Sequence, residues 1–214
     1  MWPKKPGHYN IGFDEQDEEI SDELVDGKKW GKSFKKIGIV GIGGSGKTTL
    51  AKLVFTNRKV VYFFHYKIWI CLSQRPTVRD GDVDLKEMVR DMLKQCGVKY
   101  DGLQDVDEDD LLENLKKWFD NHKVKERERE SESNAGVIII TRLSHIPKQM
   151  GVHLHHMAPP MPEEVLWNRN FDEAYFLDRV VQKMKDEFIQ QCDGLPLSAK
   201  ILSEIIPNQM FGER

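Results

Sequence analysis

The chain has 214 residues, of which 39% are apolar and 31% charged, as is typical of a folded globular protein. Its 32 Lys and Arg residues nearly balance 35 Asp and Glu residues, which excludes a globally basic surface that attracts nucleic acid directly. The three cysteines have no metal-type spacing, and no apolar run approaches the roughly 20 residues of a membrane span. These features predict a protein of a reducing compartment, the cytoplasm or the nucleus, and the cytoplasm is favoured.

The first part of the chain predicts a polar extension followed by a strand, a loop and a helix. Within residues 1–35, the acidic stretch FDEQDEEISDEL predicts a short exposed helix and VDGKKWGKS predicts a linker. The run KKIGIVGI is typical of a buried parallel strand, and KTTLAKLVFTN follows with apolar residues at helical spacing. The segment YKIWICLS, Tyr66–Ser73, predicts a second strand.

The rest of the chain alternates between helix and strand patterns. VDLKEMVRDMLKQCG and DEDDLLENLKKWFDN predict helices, the first with Gly97 as its C-cap. Residues Lys123–Gly136 predict either an exposed helix or a disordered loop, because charges alternate there. GVIIIT, Gly136–Thr141, predicts a strand, VHLHHMAPP predicts a further short strand, and the C-terminal residues predict two helices broken at CDGLPLS. This alternation predicts an α/β fold with a doubly wound parallel sheet and a small C-terminal helical subdomain.

The stretch GIGGSGKTT, Gly41–Thr49, fits two glycine fingerprints. Gly41, Gly43 and Gly46 have the spacing of a dinucleotide-binding turn, whereas Gly41, Gly46, Lys47 and Thr48 have that of a triphosphate-binding P-loop. A dinucleotide site needs an acidic residue about 20 positions later, and VVYFFHYKIW contains none. The P-loop is therefore favoured. Its Gly43, Gly44, Ser45 and Gly46 would cradle phosphates through backbone N–H groups, Lys47 would neutralise them, and Thr48 would ligate Mg²⁺.

From this loop onward the sequence resembles the nucleotide-binding adaptor (NB-ARC) domain of plant disease resistance proteins. The P-loop, the block FFHYKIWICLSQ, the strand GVIIITR and the motif CDGLPLSAKIL occur in the order found in that family. The resemblance implies ADP or ATP with Mg²⁺ as cofactors and a P-loop NTPase-like sheet. It also implies a γ-phosphate-sensing Arg142, a Pro196 that packs against adenine, and a segment around Ile11 and Gly12 whose backbone approaches adenine. Thr49 would add a hydroxyl near the α-phosphate.

The chain departs from this family at the Walker B strand, which normally ends in aspartates that hold Mg²⁺ and position water. The family places that strand between the helix ending near Phe119 and GVIIIT, but this interval reads DNHKVKERERESESNA. Without the strand, the first two strands would either pair directly or leave exposed edges in the sheet. We therefore expect nucleotide binding with weak or absent hydrolysis.

Three domains are predicted: an N-terminal extension over residues 1–35, a P-loop nucleotide-binding domain over 36–158, and the start of a helical subdomain over 159–214. Three functions are compatible with this organisation. The first is an ADP- or ATP-dependent switch that engages other resistance or signalling proteins. The second is a nucleotide-indifferent adaptor or decoy that binds full-length resistance proteins. The third, a true NTPase or phosphotransferase, lacks an evident catalytic acid, an NKxD motif and an LSGGQ motif.

Overall fold

The fold combines a small parallel sheet with helices. The computed structural model describes residues 12–26, 35–64, 66–70, 85–98, 106–127, 136–157, 163–170 and 179–211. In chain order the elements are α1 (Asp14–Val25), β1 (Lys35–Val40), α2 (Lys47–Thr56), α3 (Arg58–Phe63), α4 (Leu85–Gln95), α5 (Glu108–Arg127), β2 (Gly136–Thr141), α6 (His145–Gln149), β3 (His153–His156), α7 (Glu163–Asn170), α8 (Arg179–Cys192) and α9 (Pro196–Phe211). The predicted α/β class is confirmed, and no helix in the described part of the chain is long and apolar enough to cross a membrane.

Within the described residues, the sheet has three parallel strands in the order β2-β1-β3. Its central strand β1 is buried at five of its six positions, Lys35 and the four residues of the run IGIV. Val40 is level with Thr141 of β2 and His156 of β3, so the carboxyl ends of all three strands meet at one edge. Ligand sites in parallel sheets form at this edge. The strand predictions for KKIGIVGI, GVIIIT and VHLHHMAPP are thus confirmed.

The prediction of a second strand at Tyr66–Ser73 is wrong for residues 66–70, which form irregular backbone, and residues 71–73 lie outside the described residues. Here the side chain of Gln95 on α4 makes the hydrogen bonds to Trp69 that a neighbouring strand would otherwise make. Its Oε1 accepts the N–H of Trp69 at 2.8 Å, and its Nε2 donates to the Trp69 carbonyl at 2.9 Å. Because both backbone groups of Trp69 are satisfied by one amide, this segment gains little from pairing with a strand.

The neighbours of β1 also correct the expectation for a sheet without Walker B. Neither exposed edges at β1 nor pairing with the Tyr66 segment is observed, because β2 and β3 hydrogen-bond to its two sides. Residues 128–135, where a Walker B strand was sought, lie outside the described residues. The preceding stretch is helical through Arg127, as one of the two predictions for this region proposed.

The acidic N-terminal helix is confirmed, but only one of its faces is exposed as predicted. Ile20 and Leu24 of α1 are buried together with two polar residues, Ser21 and Glu23. The helix packs against α2, and the ammonium group of buried Lys35 donates to the Leu24 carbonyl at 2.6 Å. An acidic helix is buried here because its sparse apolar residues lie four apart on one face.

The chain divides into two compact units. One unit contains Tyr62–Ala135, and its core clusters Val89 and Leu93 of α4 with Leu111 of α5. Gly97 ends α4 in a left-handed conformation with φ +79°, so its predicted C-cap role is confirmed. The other unit contains Lys4–Val61 and Gly136–Arg214, with the sheet, α1, α2 and the C-terminal helices.

The C-terminal helices of the second unit have a core of their own. Two of them, α8 and α9, are separated at Asp193–Leu195 as predicted, whereas α7 was not predicted. Buried residues from all three helices form this C-terminal core: Leu166, Trp167, Phe188, Cys192 and Ala199. The rings of Trp167 and Phe188 meet edge to face, with centroids 5.5 Å apart. Through Ala199, in its first turn, the start of α9 is packed in this core.

Burial in the C-terminal core raises the pKa of Cys192 to about 11. At pH 8 only about one thiol in a thousand is then ionised, and the thiolate is the reactive form. We expect iodoacetamide to modify Cys192 in the folded protein more slowly than half-buried Cys96, and at a similar rate once both are unfolded. Peptide mass spectrometry of timed samples measures both rates, and equal rates in the folded protein would contradict this burial.

Candidate nucleotide-binding site

The glycine loop lies between the end of β1 and the start of α2. Gly44 and Gly46 adopt φ values of +82° and +89°, in the left-handed region that favours glycine. Gly46 is also the N-cap of α2, and its carbonyl accepts the N–H of Leu50 at 2.9 Å. The first N–H groups of α2 have no partner within the helix, and the helix dipole is positive at this end. The loop is therefore suited to hold an anion.

Lys47 lies at the base of the loop and is only 9% exposed. Its ammonium group donates to the Ile42 carbonyl at 2.5 Å, and the Ser45 hydroxyl donates to the same oxygen at 3.0 Å. Burial, and secondarily the positive charge of Arg142, lowers the pKa of Lys47. Because the two cations repel each other, an anion between them would relieve the repulsion as well as the desolvation of Lys47.

Arg142 directly follows β2, and the register of β2 with β1 places it beside the loop. A Cβ atom built on Gly43 would lie 3.5 Å from the guanidinium carbon of Arg142. The structure thus brings an exposed arginine next to the phosphate-cradle sequence, although the two are almost 100 positions apart. Its sensing of a γ-phosphate stays a prediction.

The N-terminus of α9 contacts the same loop. Pro196 is the first residue of this helix, a position that suits a residue without an N–H, and the N–H of Leu197 donates to the Gly44 carbonyl at 3.3 Å. A Cβ atom on Gly44 would lie 3.1 Å from the Cβ of Leu197, so the two segments are closely packed. Pro196 was predicted as a site residue from the sequence, and Leu197 was not. The signal available for Leu197 was its position next to Pro196 in the GLPL motif.

The start of α1 reaches the loop from the opposite end of the sequence. Phe13 is 3% exposed, and a Cβ atom on Gly46 would lie only 2.4 Å from the tip of its ring. The neighbouring Gly12 has φ +95°, and Ile11 lies outside the described residues. Adenine contacts at Ile11 and Gly12 stay predictions. Phe13 was missed as a loop contact, and a lone aromatic residue in an acidic stretch was the signal for it.

The remaining predicted residues occupy the loop and the first turn of α2. Gly41 begins the loop, and a Cβ atom there would lie 2.9 Å from the Ser45 hydroxyl oxygen. Thr48 is exposed and Thr49 half-buried. The contact of Thr48 with Mg²⁺ and that of Thr49 near the α-phosphate stay predictions. Within the described ranges, no three His, Cys, Asp or Glu side chains gather into a metal site.

The strand ends beside the loop carry no acidic residue. β2 is followed by Arg142 and Leu143, and β3 by Met157 and Ala158. An NTPase normally places aspartates at the end of a strand next to the P-loop strand. The carboxylate of Glu23 on α1 pairs with His155 of β3.

A parallel strand, a glycine-rich loop, and a helix that begins with Lys47 and Thr48 define a P-loop nucleotide-binding protein of the α/β class. A family model of the NB-ARC domain matches residues 13–125, more than half of the chain. The chain belongs to the NB-ARC domain family, as its sequence motifs predicted.

Curated relatives extend the similarity over most of the chain. Disease resistance protein RGA2 of Solanum bulbocastanum is 27% identical over 216 residues, which cover 91% of this chain and 22% of the relative. Disease resistance protein RPP13 of Arabidopsis thaliana is 25% identical over 224 residues, which cover 95% of this chain and 26% of the relative. The chain thus spans about a fifth to a quarter of the length of these relatives.

Proposed function

We propose that this chain is an ADP- or ATP-binding switch in plant defence signalling, with weak or absent hydrolysis. The observation that carries the proposal is the convergence of Lys47, Arg142 and the N-terminus of α9 on one glycine loop. Two cations and two helix N-termini at the same loop are an arrangement that favours a polyphosphate.

The proposed ligand contacts follow from the positions of these groups. Phosphates lie on the N–H groups of Gly43 to Gly46, Lys47 and Arg142 neutralise them, and Thr48 holds Mg²⁺. A Mg²⁺ ion held there would supply positive charge to neutralise the phosphates of ATP. The adenine end lies towards Pro196 and the segment of Ile11 and Gly12. The domain boundaries near residues 35 and 158 stay a prediction.

Switching is proposed to act through the hydrogen bond from the Leu197 N–H to the Gly44 carbonyl. Because Gly44 belongs to the phosphate cradle, a change in bound phosphate alters the backbone to which α9 is attached. The α9 helix is in turn packed in the C-terminal core with Trp167 and Phe188. A nucleotide that favours one loop geometry therefore favours one placement of these helices.

Weak hydrolysis is proposed because both strands beside β1 end without a carboxylate. The loop can hold phosphates, but no described strand-end residue is suited to hold Mg²⁺ from the sheet side and position water. Phosphate release that exceeds background and is lost in Lys47→Ala would contradict this part of the proposal.

The role in defence is proposed from the relatives, whose names identify them as disease resistance proteins. The proposed partners are other resistance or signalling proteins, and the proposed location is the cytoplasm. Since the chain corresponds to only part of those relatives, it would contribute the nucleotide-dependent step of a larger signalling assembly.

Calorimetric titration with ADP and with Mg-ATP tests the proposal. Lys47→Ala is expected to weaken ADP binding by about tenfold to a hundredfold, because a charge-assisted hydrogen bond contributes about 1.5–3 kcal/mol. The matched control is Lys36→Ala at the opposite end of β1, where the ammonium group donates to the Met150 carbonyl at 3.4 Å. This control is expected to bind like the wild type.

No heat and no thermal shift with either nucleotide would contradict the switch. Partner capture that is the same in the wild type and in Lys47→Ala would favour the nucleotide-indifferent adaptor instead. Folding of both lysine variants is checked by circular dichroism, so that lost binding is not confused with unfolding.

A further inference from the structure

Phe13 and the helix α1, here called the N-terminal strap, run from the glycine loop to the sheet. At one end the buried ring of Phe13 packs against Gly46. At the other end the carboxylate of Glu23 pairs with His155 of β3, and these two side chains are only 4% and 11% exposed. The strap therefore touches the phosphate cradle with its first residue and the sheet with its last turn.

The position of the Phe13 ring depends on α1. Phe13 is the N-cap residue of this helix, and its carbonyl accepts the N–H of Asp17 at 2.8 Å. A displacement of α1 therefore carries Phe13 with it. Gly46 is in turn the N-cap of α2, whose first N–H groups face a phosphate in the proposed site. Movement of α1 is thus transmitted to the phosphate cradle through one aromatic contact.

Much of what holds α1 in place is polar. Four of its twelve residues are buried, two of them apolar and two polar: Ile20, Leu24, Ser21 and Glu23. The amide group of Asn57 donates to the Asp17 carboxylate at 3.2 Å. Burial raises the pKa of Asp17 although hydrogen bonds from Asn57 and Ser21 oppose this, so docking of α1 costs hydration of a carboxylate. A helix with so little apolar burial is expected to open more readily than the sheet.

An exposed lysine on α3 holds the middle of the strap. The ammonium group of Lys59 lies 2.5 Å from a carboxylate oxygen of Glu18 and 2.6 Å from one of Asp22. Hydrogen bonds to Asp22 and Glu18 raise the pKa of Lys59, which is therefore charged at neutral pH. The glycine loop precedes α2 and Lys59 follows it, so the ten residues of α2, about 15 Å, lie between them.

We propose that the N-terminal strap regulates the nucleotide site: the loop binds ADP tightly only while α1 is docked, and bound ADP in turn holds α1 in place. This regulation rests on the proposed function, because it requires nucleotide at the glycine loop. If only the docked state binds ADP well, the apparent Kd rises in proportion as the docked fraction falls. By reciprocity, ADP favours docking of α1 by the same factor.

Hydrogen exchange of the full chain, followed by peptide mass spectrometry with and without ADP, tests this link. Without nucleotide, the amides of α1 are expected to exchange faster than those of β1. At about 100 times the Kd of ADP, they are expected to slow by up to about a hundredfold. Unchanged exchange of α1 in a protein that gives heat with ADP would overturn the regulation and leave the proposed function standing. No heat with ADP would overturn both.

Reversing the charge of Lys59 tests whether the strap acts on the site from a distance. Lys59→Glu places a third carboxylate beside Glu18 and Asp22, and all three positions are exposed, so no core is opened. Exchange of α1 is expected to become about threefold to thirtyfold faster, because two ion pairs are replaced by repulsion. ADP is expected to bind more weakly. A loosened α1 with wild-type ADP affinity would overturn the proposal.

The matched control is Arg58→Glu, the same change of charge at the neighbouring residue of α3. Arg58 is exposed and forms no ion pair with α1 in the described part of the chain. Charges farther than about 10 Å from the nucleotide are largely screened at 0.1 M salt, so this control should bind ADP like the wild type. Equal weakening in Arg58→Glu and Lys59→Glu would show an effect of net charge and would overturn the role of the strap.

A second charge reversal, on α1 itself, is expected to restore docking. Glu18→Lys alone repels Lys59, whereas Glu18→Lys combined with Lys59→Glu forms an ion pair of the opposite sense. The double variant should regain part of the exchange protection and of the ADP affinity, which a general loss of folding would not allow. ADP affinity no higher than that of Lys59→Glu would contradict this contact. Circular dichroism melting of each variant checks that it is folded.

Discussion

Replacing Gly46 with alanine is expected to lower the free energy of unfolding by about 2–5 kcal/mol. Two costs add at this position. At φ +89° an alanine is strained, which accounts for about 1–2 kcal/mol. Its Cβ would also lie 2.4 Å from the ring of Phe13, which is 3% exposed and held between α1 and the loop. Denaturant unfolding measures the loss, and weaker ADP binding is expected to accompany it.

Gly151→Ala is the matched control for Gly46→Ala. Gly151 also has a positive φ, +62°, in the same compact unit, but nothing lies within 4 Å of its Cβ position. This variant carries the backbone strain without the ring contact, so it should cost only about 1–2 kcal/mol. Equal losses in the two variants would show that Phe13 does not constrain the loop.

A double-mutant cycle isolates the contact between Phe13 and Gly46. In a Phe13→Ala background the ring is gone, and the additional cost of Gly46→Ala should fall by about 1–3 kcal/mol. If the cost of Gly46→Ala were the same in both backgrounds, the backbone strain alone would account for it.

Replacing Trp167 with alanine is expected to cost about 3–5 kcal/mol of stability and to weaken ADP binding at a distance. Trp167 is 2% exposed and packs against Phe188, and the ammonium group of Lys185 lies 5.8 Å from the centroid of its ring. Truncation leaves a cavity among α7, α8 and α9. The N–H of Leu197 on α9 donates to the Gly44 carbonyl. A loss of packing in this core is therefore expected to disturb the glycine loop.

Two further variants distinguish the effect of the buried C-terminal core from that of the exposed face of α9. Trp167→Phe keeps an aromatic ring and is expected to lose less stability than Trp167→Ala. Ile205→Ala, on the exposed face of α9, should change stability by no more than about 0.5 kcal/mol. ADP affinity is measured below the melting temperature of each variant. Wild-type affinity in a folded Trp167→Ala protein would contradict the link between the C-terminal core and the loop.

Much of the sheet could be predicted from the chain's local patterns. KKIGIV and GVIIIT are short β-branched runs, and such runs favour strands whatever their neighbours are. The prediction failed at Tyr66–Ile70, where the composition is equally strand-like. A strand exists only if its backbone finds a partner, and Gln95 satisfies Trp69 instead. No pattern within the segment reports a partner 26 positions away.

The candidate site likewise contains residues that local sequence predicts and residues that only the fold brings together. Lys47 and Thr48 were predicted because a P-loop is encoded in consecutive residues, where spacing alone carries the chemistry. Phe13 and Leu197 were missed because their contacts join residues more than 30 and 150 positions apart. Arg142 and Pro196 were proposed through the family resemblance, and the structure places Arg142 beside Gly43 and Pro196 next to Leu197 at the loop.

The sequence by itself determined that this chain contains a P-loop, that it belongs to the α/β class, and that the strand ends it encodes carry no acidic pair. These properties depend on local spacing and composition, which do not change with the tertiary contacts that the chain makes. Only the tertiary structure decided that β1 lies between β2 and β3, that Phe13 packs against Gly46, and that the N-terminus of α9 contacts Gly44. Such contacts depend on which distant segments satisfy each other's hydrogen bonds and exclude water, and local sequence does not specify that choice.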